Sequence, residues 1–331
     1  MRKIYFLLVI SILSVLVIGC NSENSSENTE EGNSSNINSD FPEEDITTVV
    51  PYSTGGAGDI SIRIMADLES EYLKGNSMVV DNIDGAGGIK GQTEVATAEP
   101  DGYTLLELTT SAVNNPMIED TEFDIDSFAP IAMFSFEPEL LVVPKSSDID
   151  SIEDFLDYAK SNEISVNTSG FGTSHHIGAL VLENEADLKF NYVHADSGGD
   201  QIQQLMGDHA EAGFLTYGSA SEALEEEEIK PIGVMSDERI EQLPETETFE
   251  ENDLDIEYGP FRAMAAPKDT PEDVLNQLYD MFDGIINDED FKNKMEDSGY
   301  EVEYGDKEEL QKQMDTQTEF MEDVLPMLEE E

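Results

Sequence analysis

Basic residues are scarce in this chain: 16 Lys and Arg stand against 75 Asp and Glu, for a net charge of −59. Phosphate backbones are bound by basic surfaces, so nucleic acid is excluded as a partner. Cysteine is scarcer still, and Cys20 is the only one. A single thiol near the N-terminus leaves the rest of the chain with neither a disulfide nor a thiolate metal site. Of the four histidines, His175, His176, His194 and His209, two are adjacent rather than spaced i, i+4 on one helix face, so a metal site is not expected. No Asp-x-Asp-x-Asp-Gly loop accounts for the acidity through calcium, and no cofactor of any kind is expected. Beyond residue 20 no run is long and apolar enough to span a bilayer.

What is present begins with Arg2 and Lys3 ahead of an apolar run from Ile4 to Ile18. At about 15 residues this matches the h-region of a secretory signal peptide rather than a spanning helix. Val17-Ile18-Gly19-Cys20 resembles a bacterial lipobox, in which the cysteine carries the lipid, and a plain signal peptide is the simpler alternative. Residues 21–44 are read as a polar tether, since 21–40 are almost wholly Asn, Ser, Glu, Gly and Thr. The expected location is the extracytoplasmic face of the cytoplasmic membrane, lipid-anchored through Cys20. The acids are spread over the chain, with Glu225 to Glu228 and Glu329 to Glu331 the densest runs. Such a surface suits high salt, where the Debye length is about 3 Å at 1 M and self-repulsion is screened.

The remaining residues, roughly 290, alternate short β-branched runs with amphipathic stretches, which predicts α/β architecture with parallel sheets flanked by helices. Expected strands are 47–51, 78–80, 103–108, 131–134, 140–143, 164–167, 190–193, 212–216 and 231–235. Expected helices are 60–73, 88–98, 152–160, 174–185, 200–206, 271–286 and 290–298. Two glycine-rich loops open helices after the first two strands: Pro51-Tyr52-Ser53-Thr54-Gly55-Gly56-Ala57-Gly58-Asp59 and Asp84-Gly85-Ala86-Gly87-Gly88. Glycine permits close approach of backbone to ligand, and helix N-termini favour anions. Adjacent parallel strands would set both loops side by side where open α/β folds bind ligands. Neither loop is a P-loop, and Gly85, Gly87 and Gly91 miss the dinucleotide spacing by one residue. Each loop taken alone is equally compatible with a tight turn. Ser174 with His176 is the nearest approach to an acyl-transfer pair, but they lie two apart on one helix and no G-x-S-x-G elbow surrounds them, so no enzyme is expected.

These landmarks resemble the tripartite tricarboxylate transporter receptors, the TctC or Bug family, over about residues 45–325. The resemblance is carried by Pro51, Gly55-Gly56, Asp59 and Arg63, by Asn82 to Gly88, and by Pro100-Asp101-Gly102-Tyr103-Thr104-Leu105-Leu106. Gly170 to His176, Ser197-Gly198-Gly199 and Gly207-Asp208-His209-Ala210-Glu211 add to it. It implies a type II periplasmic-binding-protein fold: two α/β lobes with a hinge, one lobe from 45–138 plus 258–331 and the other from 139–257, with crossings near 137–144 and 256–264. It further implies a monomer that captures a small organic carboxylate, of the di- or tricarboxylate type, for large and small permease subunits. A sensing lipoprotein that feeds a signalling partner is the alternative. Carried over by residue, the resemblance implies ligand contacts from Tyr52, Ser53, Thr54, Gly55, Gly56, Asp59, Gly85, Ala86, Gly87 and Thr109. On the opposite lobe it implicates Thr173, Ser174, His176, Asp196, Ser197 and Gly198. None of these offers a cationic side chain, so the anion is expected to depend on backbone N–H groups and hydroxyls. For His176 a purely structural role at the helix start is the competing reading, and for Asp196 a helix cap.

Overall fold

Strands form where the β-branched runs stand. The computed structural model describes residues 41–195, 198–298, 300 and 302–330, so Cys20, Asp196 and Ser197 lie outside the described residues. One sheet contains β1 (Ile46–Val50), β2 (Met78–Asn82), β3 (Thr104–Thr109), β4 (Phe128–Phe136) and β10 (Phe261–Pro267), in the order β2-β1-β3-β10-β4. The other contains β5 (Glu139–Pro144), β6 (Ile164–Thr168), β7 (Phe190–His194), β8 (Ala212–Thr216) and β9 (Ile229–Val234), in the order β7-β6-β8-β5-β9. This is the two-lobed α/β arrangement that the sequence predicts, with one difference: both sheets are mixed. β10 runs antiparallel to β3 and β4, and β5 runs antiparallel to β8 and β9. The reason is connectivity. Each of these strands follows directly from the other sheet, so it enters at the end where its neighbours finish and runs the opposite way. The two connections lie side by side, with Glu137 N donating to Pro260 O at 3.0 Å and Glu139 N to Tyr258 O at 2.9 Å.

Helices pack on both faces. On the first sheet lie α1 (Ala57–Tyr72), α2 (Ile89–Ala96), α3 (Ser111–Ile118), α8 (Glu272–Asn287) and α9 (Glu289–Asp297). On the second lie α4 (Ile152–Ala159), α5 (Ser174–Glu185), α6 (Gly198–Met206) and α7 (Tyr217–Glu225). The sequence logic is plain in α4, where Ser151 Oγ accepts from Asp154 N as the N-cap and Ile152, Phe155 and Ala159 recur on one buried face. Burial of Phe155 contributes about 2 to 3 kcal/mol, and Phe155→Ala would cost about 3 to 5.

α3, α7 and β10 were not among the expected elements, and two further segments depart from expectation. Phe41 is 2% exposed and its ring lies 5.0 Å from that of Tyr103, while Asn76 Nδ2 donates to Pro42 O, so the folded body already includes the last residues assigned to the tether. An aromatic ring at 41 has apolar surface to bury, unlike the polar residues before it. The C-terminal helix α10 (Lys307–Glu330) was not foreseen, and it serves both halves of the molecule. Leu310 and Met314 join the core of the first sheet, whereas Met321, Val324 and Leu328 join that of the second. Between them the buried Gln317 donates to Gly259 O at 3.1 Å, where the chain crosses between sheets. Residues 258–331 therefore do not pack wholly with the first sheet, because the apolar positions of α10 continue past the crossing.

Candidate functional site

Three helices begin at one cleft. The first turn of α1 brings Gly56, Ala57, Gly58 and Asp59, the start of α3 brings Thr110, Ser111, Asn114 and Asn115, and the start of α5 brings Gly172, Thr173 and Ser174. Tyr52, Glu107, Thr109, Pro260, Phe261 and Arg262 complete the lining of a cavity of 310 Å³. Helix N-termini carry partial positive charge and unsatisfied N–H groups, so three of them around a small cavity favour an anion.

Several residues expected from the sequence meet here: Tyr52, Gly56, Asp59, Thr109, Thr173 and Ser174. Tyr52 Oη lies 2.9 Å from Thr109 Oγ1 and 2.5 Å from Ser111 Oγ, and the latter two are 2.9 Å apart. Burial and the nearby Glu107 carboxyl push the Tyr52 hydroxyl above its ordinary pKa, so it remains a neutral hydrogen-bonding group. Asp59 accepts from Gly55 N at 2.8 Å and pairs with Arg63 at 2.8 Å; the hydrogen bond from Arg63 is the largest cause of its lowered pKa. The loop's own aspartate thus already occupies the Gly55 N–H. Ser53, Thr54 and Gly55 are exposed and do not line the cavity, and Ser53 Oγ donates to Asp84 Oδ2.

The second glycine loop stands behind this wall rather than on it. Gly85, Ala86, Gly87 and Gly88 all have positive φ, which is why the segment is glycine-rich. Asn115 Nδ2 donates to Gly87 O at 3.1 Å and to Gln92 Oε1 at 2.8 Å, and Gln92 Nε2 donates to Ser111 Oγ at 2.8 Å. The loop is tied to the cavity through these amides, but Gly85, Ala86 and Gly87 are not among the lining residues. Gly198 opens α6 and does not line the cavity either.

His176 is fully buried. Its Nδ1 accepts from Gly172 N at 3.0 Å, and its ring packs 4.6 Å from that of Tyr192 and 4.8 Å from that of His194. Burial, then the neighbouring His194, depress its pKa to about 3, so it stays neutral and braces the loop that carries Thr173 and Ser174. Thr173 is the N-cap of α5 and donates to Gly170 O at 2.9 Å. His175 instead meets Glu139 at 2.8 Å. Burial works against its proton, yet the Glu139 and Glu137 carboxylates hold its pKa above the ordinary value.

Two charged residues were missed by reasoning from the loops. Glu107 sits on β3 with 0% exposure, and neither Oε1 nor Oε2 has a hydrogen-bond partner among the described residues. Burial raises its pKa to about 7, against a lowering by Arg262. Arg262 on β10 stands opposite Thr109 in the register and pairs with Glu137 at 2.7 Å. The cleft does hold a cationic side chain, contrary to expectation, so the anion need not depend on dipoles alone. A signal existed for both: each is a lone charge in an otherwise apolar or small strand, Thr104-Leu105-Leu106-Glu107-Leu108-Thr109 and Phe261-Arg262-Ala263-Met264-Ala265-Ala266-Pro267.

Comparison with known proteins places this geometry among relatives. Residues 62–326 match the tripartite tricarboxylate transporter family receptor. A protein encoded in the tcbD-tcbE intergenic region of a Pseudomonas species is 31% identical over 244 residues, covering 72% of each chain. The crystal structure of a TctC solute binding protein from Polaromonas matches with a TM-score of 0.82 at 25% identity, over 86% of this chain and 99% of that one. MatC from Rhodopseudomonas palustris, solved with bound malate, matches with a TM-score of 0.66 at 25% identity, over 86% and 99%.

Proposed function

The chain belongs to the tripartite tricarboxylate transporter receptor family, and we propose that it captures a small organic carboxylate in the cleft between its two sheets and delivers it to a membrane permease. The observation that carries this reading is the convergence of the α1, α3 and α5 N-termini with Arg262 on one small cavity. Backbone N–H groups and a guanidinium each form charge-assisted bonds to a carboxylate worth about 1.5 to 3 kcal/mol. Such a local arrangement offsets the repulsion that a net charge of −59 exerts on any anion. The malate bound in MatC supports the ligand class. The two sheets are the two lobes of the clamp, and the paired connections at 137–139 and 258–260 are its hinge.

Within this reading the protein is an extracytoplasmic lipoprotein, anchored through Cys20 and working as a monomer beside large and small permease subunits. Its acidic surface is an adaptation to high salt. Replacing Cys20 with Ser should move the protein from the membrane fraction to the soluble one with ligand affinity intact, and retention in the membrane would refute the anchor. The capture itself is tested by thermal shift of the purified full chain against a panel of organic acids at 1 M salt or above. A cognate acid at 100 times its Kd adds about 2.7 kcal/mol of stability. A panel in which no carboxylate raises the melting temperature would overturn the proposal.

A further inference from the structure

A cavity suited to anions has a buried carboxyl in its lining. Glu107 is 0% exposed, and among the described residues neither of its oxygens has a hydrogen-bond partner. The first turn of α1 lies against it: a Cβ on Gly58 would fall 2.5 Å from Oε1, so the missing side chain at 58 gives the carboxyl its room. Charged and titratable neighbours come from three elements. On the same face of the sheet, two residues along β3 at Thr109, the paired β10 presents Arg262, with Glu137 and Tyr300 beyond it. Arg262 acts on Glu107 through its charge, while the hydrogen bonds of its Nη1 go to Glu137 and Ser135. The loop after β1 brings the neutral Tyr52 hydroxyl, and α1 brings Asp59, which Arg63 compensates. The starts of α3 and α5 present only hydroxyl, amide and backbone groups. Burial outweighs Arg262 and holds Glu107 near neutrality.

An arriving solute brings its own carboxylate into this space, and a cavity of 310 Å³ leaves it no room to stand apart from Glu107. Two carboxyls close together in a buried site do not both stay ionised near neutral pH; they share a proton. Resting on the carboxylate-capture reading above, we propose that Glu107 binds the solute as its neutral acid, donating its O–H to the ligand carboxylate, so that capture above neutral pH takes up a proton from solvent. The proton serves twice. It removes the repulsion between two anions, and it turns an acceptor-only group into a donor whose bond to a carboxylate is charge-assisted. Arg262 is then left with the ligand rather than a second anion in the cavity. The pH dependence has a definite sign. Below the empty-site pKa of about 7 the proton is already in place, and affinity is insensitive to pH. Above it the proton must arrive with the solute, and affinity falls by up to about tenfold per pH unit.

The test is calorimetry on the purified full chain between pH 6.5 and 8.5, with malate and with the tightest-binding acid of the thermal-shift panel whose carboxyls stay ionised over that range. Each titration is run in two buffers of different ionisation enthalpy, so that the difference in heat counts the protons taken up. Wild type should take up close to one proton at pH 8.5, and its affinity should weaken at least about tenfold from pH 6.5 to 8.5. Glu107→Gln should take up none and hold its affinity within about threefold across the range. Glu107→Met gives the same readout if the amide variant fails to fold, and the wild-type proton count needs no variant. Binding by wild type without proton uptake at pH 8.5, or uptake that persists in either folded variant, would overturn the role of Glu107 and leave carboxylate capture standing. Absence of binding by every acid in the panel would overturn the capture reading itself, and this inference with it.

Discussion

The two walls of the cleft are built on opposite plans. The second-sheet wall, Gly172, Thr173 and Ser174, is braced from within: Thr173 caps α5 and donates to Gly170 O, Gly172 N donates to His176, and the His176 ring packs edge-on against Tyr192 and His194. On the first-sheet wall hydrogen-bonding capacity is left over. Among the described residues both carboxyl oxygens of Glu107 and Asn114 Oδ1 are buried without a hydrogen-bond partner, and Arg262 pairs with Glu137 through Nη1. Unmet hydrogen-bonding groups in a buried site destabilise an empty protein and stabilise a filled one. The contrast assigns recognition to the first wall and a rigid backing to the second.

The largest disturbance of this contrast should come from Arg262→Met. The Arg262 and Glu137 side chains are 20% and 15% exposed, so the change strands a largely buried carboxylate and should cost about 3 to 5 kcal/mol in denaturant unfolding. Adding Glu137→Gln to that variant should recover part of the loss, because the stranded charge is removed.

On the second wall, His176→Ala should cost about 3 kcal/mol through the cavity it leaves and the lost acceptor for Gly172 N. The pH dependence follows from the depressed pKa. The unfolded chain takes up a proton as pH falls below about 6.5, while folded His176 resists until about 3. Wild type therefore loses stability across that window on acidification, and the difference between wild type and His176→Ala should shrink as pH falls from 7 to 5.

Glu107 has the opposite sign and a smaller effect. Its folded pKa of about 7 lies above the unfolded carboxyl value of 4.5, so between those values the folded state holds the extra proton and the protein loses stability as pH rises. Glu107→Gln should therefore be more stable than wild type at pH 8 by about 2 to 3 kcal/mol without ligand, with the gap closing by pH 5. Melting curves of both proteins across pH measure it. A first-wall residue whose removal stabilises the empty protein is what a recognition role predicts.

Much of this organisation is legible in the sequence. Nine strands and seven helices fall where periodicity places them, because the patterns Ile46-Thr47-Thr48-Val49-Val50 and Ile152, Phe155, Ala159 admit one secondary structure each. β10 was hidden because its small residues, Ala263, Ala265 and Ala266, have low strand propensity, and pairing on both edges decides its conformation. The acidic α10 conceals a sparse stripe of Leu310, Met314, Met321, Val324 and Leu328 that finds its partners on two different cores. At the site, Tyr52, Gly56 and Thr173 could be read from loops that open helices. Glu107 and Arg262 could not be read that way, since they lie within strands and meet only through the antiparallel register of β3 with β10. His176, marked by its place in the Gly170 to His176 segment, proves to be a brace one layer behind the cavity.

Recognition by the first wall is tested by calorimetry with the tightest-binding acid on wild type, Arg262→Met with Glu137→Gln, and His176→Ala. The first-wall variant should lose at least about tenfold in affinity, while folded His176→Ala stays within about threefold of wild type. Full affinity in the first-wall variant together with a loss in His176→Ala would contradict the assignment of recognition to the first sheet.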